Sequence, residues 1–332
     1  MVGERLRHKQ LITKLPKVVV HADWSTQANK RWVATALMDG PTYTICQPSQ
    51  LTDPGRFVPD IIHQAGPGSS LIGFDFPIGI PESYARLAGI CRFPDFLRRL
   101  AQPEWRDFFR VAEQPADISS RRPFYPARPG GTRQQFLLDA LGIKAMEQLL
   151  RQCELPHGTR QAASPLFWTM GAKQVGKAAI AGWRDILLPM VLLEPSPIRI
   201  WPFDGTLRHL LSTGYCVVAE TYPAEACLHL GFDPPGRGWS KRNQADRRSK
   251  AELIQMWAER RAVRLEPMLT GAMKNGFGSS ATGEDAFDSL IGLCSMLEIV
   301  LGHRGDGAPE SQAVQDIEGW ILGQFGATSR QS

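Results

Sequence analysis

The sequence predicts a mixed α/β fold: an antiparallel three-stranded meander running on into parallel strands, flanked by helices and interrupted by a mainly helical insertion. Three observations carry that prediction. The stretch Lys17–Ser25 (KVVVHADWS) holds three consecutive β-branched residues and then an acid, Asp23; such a run favours a strand buried on both faces. Ser70–Phe76 (SLIGFDF) repeats the pattern with Asp75, and Tyr215–Glu220 (YCVVAE) repeats it with Glu220. Late in the chain, Glu284–Leu301 keeps an apolar stripe through Phe287, Leu290, Ile291, Cys294 and Leu297, the spacing of a helix packed along one face.

In chain order, residues 1–16 read as a polar arm. Arg31–Met38 partly alternates and makes a second strand; Asp39-Gly40-Pro41 then signals a turn into a third at Thr42–Cys46. Gln50–Gln64 holds a short helix started by Asp53-Pro54. The fourth strand, Ser70–Phe76, breaks at Pro77, Gly79 and Pro81. From 82 to 195 the composition shifts to aromatics, arginines and prolines, with helical runs at Arg133–Cys153 and Gly171–Met190. This segment reads as a helical insertion, leaving 17–81 and 196–325 as the core. The sheet resumes at Ile198–Phe203 and Tyr215–Glu220. Gly236–Arg264 is rich in Lys and Arg, Ala251–Ala262 is helical, and Gly271–Gly283 reads as a Gly/Ser/Thr loop. Thr282 suits the N-cap of the late helix, with Asp285 three residues on. A last short element falls around Ile317–Leu322.

Composition narrows the function classes. A chain of 332 residues is long enough to bury a large core. Its formal net charge of +5 is compatible with an anionic partner without requiring one. No apolar stretch reaches the length of a membrane span and no secretory h-region opens the chain, so a cytoplasmic protein with no membrane partner is expected. The six cysteines are scattered without a CxxC pair, which fits reduced, mostly buried thiols and disfavours zinc.

The chemistry-bearing pattern is a set of acids. Asp23, Asp75 and Glu220 each end a buried strand, and sites in open α/β sheets lie at the carboxyl ends of strands. Asp285 and Asp288, three residues apart on a helix, sit about 60° apart on one side of it. Clustered carboxylates repel, and one of them is driven to bind a proton unless a cation joins them. Oxygen-only ligands suit Mg²⁺ or Mn²⁺, and such ions can activate water and stabilise the leaving oxygen of a phosphodiester. Asp23, Asp75, Asp285 and Asp288 are the candidate metal ligands, with Glu220 as an additional ligand or water-positioning group. Glu220 paired with a local arginine is an equally open reading. Arg237, Lys241, Arg242, Arg247 and Lys250 are the candidate phosphate-binding residues, and nucleic acid is the candidate partner. Asn275–Ser280 could cradle a phosphate through its amides, and Trp239, Trp257 and Phe277 could stack on bases.

These motifs, VVVHADWS, IGFDFPIGIP, VVAETYPAEA, GEDAFDSLIGL and EGWILG (Glu318–Gly323), resemble those of the domain family of predicted RNase H-like nucleases. Their order is similar to the arrangement in Holliday-junction resolvases. The resemblance covers 17–81 and 197–323 and touches LFWTMGAKQVGKAA at 166–179. It implies an RNase H-like sheet and a metal-dependent nuclease site at the acids named above. The sequence departs from the pattern at Trp24, a bulky residue where many related sites have glycine, which is expected to restrict the approach of a phosphate. Two other functions share these features: a nucleotide-binding ATPase or kinase-like protein on the same fold, with Asp23 on Mg²⁺–nucleotide, and a non-catalytic protein that binds nucleic acid or another partner. No GxSxG elbow and no Walker GxxxxGK[ST] occurs.

Overall fold

A computed structural model describes residues 14–156, 161–170, 175–233, 235–236, 238–280 and 282–325. The strands are β1 (Val18–Asp23), β2 (Trp32–Asp39), β3 (Thr42–Ile45), β4 (Ser49–Gln50), β5 (Ser70–Phe74), β6 (Ile198–Ile200), β7 (Cys216–Glu220) and β8 (Arg264–Leu265). They form one sheet in the order β6-β7-β5-β1-β2-β3-β8, with β4 paired to β2. β1–β2–β3 is the antiparallel meander, and β5, β7 and β6 continue from β1 in parallel. β1 is thus central, bonded on both sides, which its β-branched run favours.

Alternation along the strands sorts the core into two faces. Val18, Val20, Ala22, Ile72, Phe74 and Val218 point to one face, under the helix Pro54–Ala65 and the aromatic-rich insertion. Val19, Ala34, Ala36, Leu71, Val217 and Ala219 point to the other, under the long helix Thr282–Val300. The described residues of 82–195 form helices, turns and two isolated bridges. The polar arm lies mostly outside the described residues.

Asp53 caps the first helix through the amides of Gly55 and Arg56, as its Asp-Pro signal requires. The expected loop Gly271–Gly283 begins instead inside a helix, Pro267–Lys274. Leu269 and Met273 are buried four residues apart on it, and that packing outweighs the helix cost of Gly271. Thr282 is the first residue of the long helix rather than its cap. Short helices at Leu207–Ser212 and Gln244–Ser249 were not evident from the apolar pattern; their side-chain caps, Thr206 and Asn243, were the available signal. No disulfide joins the six cysteines, and four of them are buried. No helix among the described residues is long and apolar enough to cross a membrane.

Candidate functional site

Strand parity decides which acids meet. Asp23 follows Val19 and His21 on the long-helix face of β1, and Asp75 follows Leu71 and Gly73 on the same face. β1 and β5 are parallel with Ala22 opposite Phe74, so the two carboxylates emerge side by side. The Trp24 amide donates to Asp75 Oδ1 at 2.6 Å. The long helix crosses over this end of the sheet. It lies close because Gly292 has no side chain: a Cβ there would fall 2.3 Å from the buried His21 ring. One turn earlier the same helix brings Asp288 and Asp285 to the strand ends.

The electrostatics record the convergence. Burial, then the charges of Asp75, Asp288 and Asp285, hold the Asp23 carboxyl well above its ordinary range, and it shares a hydrogen bond with Asp75. Burial likewise pushes Asp75 up to about 6, against the Trp24 amide and Asp23 contacts that favour its charged form. Asp285 is raised to about 6 by burial, with Lys30 opposing, and its Oδ2 is buried without a hydrogen-bond partner. Asp288 is raised by burial, with Lys241 pulling the other way. Asp23 and Asp75 thus adjoin at the strand ends, and the charges of Asp285 and Asp288 on the long helix are felt there.

Lys241 enters this cluster. Its Nζ contacts Asp288 Oδ2 and lies 3.6 Å from Glu284 Oε1. Its charge is also felt at Asp23, Asp75 and Asp285. Glu284 was not singled out in the sequence. The signal was its spacing of four residues from Asp288, which puts both on one side of the helix.

Glu220 goes elsewhere. It is opposite Phe74 in the β5–β7 register, on the insertion face rather than the long-helix face. Arg151 holds it with two 2.7 Å hydrogen bonds, and the Ile78 amide donates to its Oε2 at 2.7 Å. Arg151 also binds Glu154 Oε1 and the Glu318 carbonyl, and is itself buried. The arginine partner considered from the sequence is thus real but distant in the chain. Both carboxylate oxygens of Glu220 are committed to anchoring the insertion, not turned toward Asp23.

The basic segment divides in the same way. Arg247 is buried, and donates to the carbonyls of Gly276, Lys241 and Gly278. It ties the glycine loop to Lys241 rather than facing a phosphate, because two backbone acceptors in that loop and the Lys241 carbonyl need a donor. Arg242 is exposed beside the cluster, 3.9 Å from Glu284, Arg248 is exposed, and Lys250 lies over the Trp239 ring. Arg237 lies outside the described residues. Trp239 and Trp257 are buried in the core, while Phe277 is partly open. Trp24 does not overhang the acids as expected. Parity sends its ring to the opposite face, edge-on to Phe74 and Phe76 and under Arg31.

The donor set is oxygen only, with one orphaned carboxylate oxygen, and so has the chemistry of a hard divalent-cation site. In the observed arrangement Lys241 supplies the compensating charge, and no three His, Cys, Asp or Glu among the described residues stand positioned to hold a metal ion. Comparison with family models, curated proteins and solved structures gave no match for the chain.

Proposed function

We propose that the protein is a divalent-metal-dependent phosphodiesterase, a nuclease of RNase H-like type. The observation that carries this reading is the convergence of Asp23, Asp75, Asp285 and Asp288 from two adjacent parallel strands and one crossing helix. The antiparallel meander that opens into parallel strands supports the RNase H-like assignment. Asp23, Asp75, Asp285 and Asp288 would hold Mg²⁺ or Mn²⁺. When bound, the ion supplies Lewis-acid activation of water and charge stabilisation at the phosphate. Lys241 and Arg242 would orient the phosphodiester and neutralise its charge. Trp24 and Phe76 pack behind the acids and keep that side dry, which strengthens the field the acids exert.

The test is cleavage of labelled single- and double-stranded DNA and RNA with Mn²⁺, alongside a calorimetric Mn²⁺ titration, in wild type and Asp23→Asn. The variant replaces a carboxyl already disposed to hold a proton, so its fold should persist. Loss of both cleavage and binding is the expected result; undiminished cleavage in the variant would remove Asp23 from the site. A second reading is favoured by the Lys241–Asp288 contact: an internally neutralised, non-catalytic protein that binds nucleic acid. It requires nucleic-acid affinity that persists in chelator and no metal-dependent turnover.

A further inference from the structure

Beside the acids, and used by none of the roles above, is a groove of about 410 Å³ lined by Trp32, Pro48, Met268, Gly271, Phe277 and Ala286, with Gln47 and Asn275 also on its wall. Its position is fixed by register. Trp32 is the direct cross-strand neighbour of Asp23, and it shares the long-helix face with Ala34 and Ala36. Side chains so paired stand about 5 Å apart at Cβ. Ala286, the residue after Asp285, also lines the groove. The groove therefore begins where the carboxylates end. Its walls are apolar and aromatic, including Met268, which is 72% exposed. They also carry two side-chain amides; the Trp32 indole Nε1 is buried with no hydrogen-bond partner. Apolar walls with a few placed polar groups are the composition of a site for a flat heteroaromatic ligand.

The cluster itself selects among such ligands. It offers the acids for a cation, and Lys241 and Arg242 for a phosphate. A group attached to that phosphate and reaching the groove is a base. We infer that the Trp32–Phe277 groove seats an unpaired nucleobase of the strand whose phosphate lies at the carboxylate cluster. A base held in Watson–Crick pairing could not enter it. The inference rests on the phosphodiesterase reading for its ligand, but its geometry does not depend on turnover.

Gly271 provides a test that leaves the fold alone. It lies within a helix, and a Cβ placed there meets nothing within 4 Å. Leucine at this position fills the groove while favouring the helix. The probe is a fluorescein-labelled thymidine pentanucleotide, bound to the full chain in chelator and followed by anisotropy. Gly271→Leu and Trp32→Ala should each weaken binding about ten-fold, the scale of one lost base stack. An abasic pentamer should bind wild type as weakly as the thymidine pentamer binds Gly271→Leu. A duplex with no unpaired end should show no difference between wild type and the variants. Thymidine monophosphate as competitor separates a free-nucleotide site, which it would saturate, from a strand site, which it would barely perturb; saturation at low concentration would overturn the strand assignment. Equal affinity of wild type and both variants, or of abasic and thymidine pentamers, would overturn the inference, as would no binding to wild type. Metal-dependent cleavage with unchanged base dependence would sink the groove and spare the carboxylate site. Base-dependent binding without any cleavage would do the reverse.

Discussion

Asp75 shows what burying an acid costs. Its folded-state value near 6, and that of Asp285, lie above the ordinary carboxylate range. The folded chain binds these protons more tightly than the unfolded chain does. In chelator, stability should therefore be highest below about pH 4 as far as these groups are concerned, and fall as pH rises from there through about 6. Asp75→Asn keeps an acceptor for the Trp24 amide and removes the charge. It should raise stability at pH 7 by about 2 kcal/mol and flatten the pH dependence of thermal unfolding; an unchanged profile would show that burying the Asp75 charge does not destabilise the fold. Lys241 works in the other direction. Lys241→Met leaves Asp288 without its cation and should lower stability by about 1–2 kcal/mol, less than for a fully buried pair because Lys241 is 34% exposed. The same variant should bind Mn²⁺ more tightly in calorimetry, since the resident positive charge is gone. At this scale the sequence disclosed the acids but not their facing. A strand that is apolar on both sides carries no alternation, so whether Glu220 points with Asp75 or away from it could be decided only by register.

The long helix was legible because its apolar stripe and its acids share one amphipathic pattern. What the pattern could not reveal is how near the helix comes to the sheet, which depends on Gly292 above His21 and Gly73 beneath Met296. Both contacts are too close for a methyl group. Gly292→Ala should therefore destabilise the fold by about 1–3 kcal/mol, despite alanine's better helix propensity, and should also lower metal affinity by lifting Asp288 from the strand ends. Denaturant unfolding paired with Mn²⁺ titration measures both, and a stabilised variant would contradict the packing argument. The insertion is fixed by a different device. Arg151 joins Glu220, Glu154 and the Glu318 carbonyl, while the Gln152 and Glu82 amides donate to the Glu318 carboxylate. Removing one partner of such a buried set strands the others, so Arg151→Met should cost about 3–5 kcal/mol. Protease cuts should then appear first within 82–195. Nothing in the local sequence tied Arg151 to Glu220, because a contact spanning 69 residues leaves no periodic trace.

Across the whole molecule, the α/β class followed from composition and strand punctuation, whereas the charge balance misleads if read as a patch. The chain carries 38 Lys and Arg against 33 Asp and Glu, yet many arginines are matched locally. Arg56 pairs with Asp60, Arg86 with Glu82, Arg98 with Asp95 and Arg110 with Asp107, all within a helical turn or a short loop. Such exposed pairs contribute little to stability, but they cancel the field that would otherwise draw a polyanion. Arg247 is withdrawn into the glycine loop and Lys250 leans on Trp239. The basic groups left near the carboxylate cluster are few, chiefly Lys30, Lys241 and Arg242. Binding of single-stranded nucleic acid should therefore release few counterions. At about 0.7 per neutralised phosphate, two or three contacts give a slope of log K against log salt between about −1 and −2. A pentanucleotide titrated by anisotropy over a range of KCl concentrations in chelator measures it. A slope steeper than about −4, corresponding to six or more phosphates, would mean that a broad basic surface does the holding, and that recognition extends well beyond the cluster at the ends of β1 and β5.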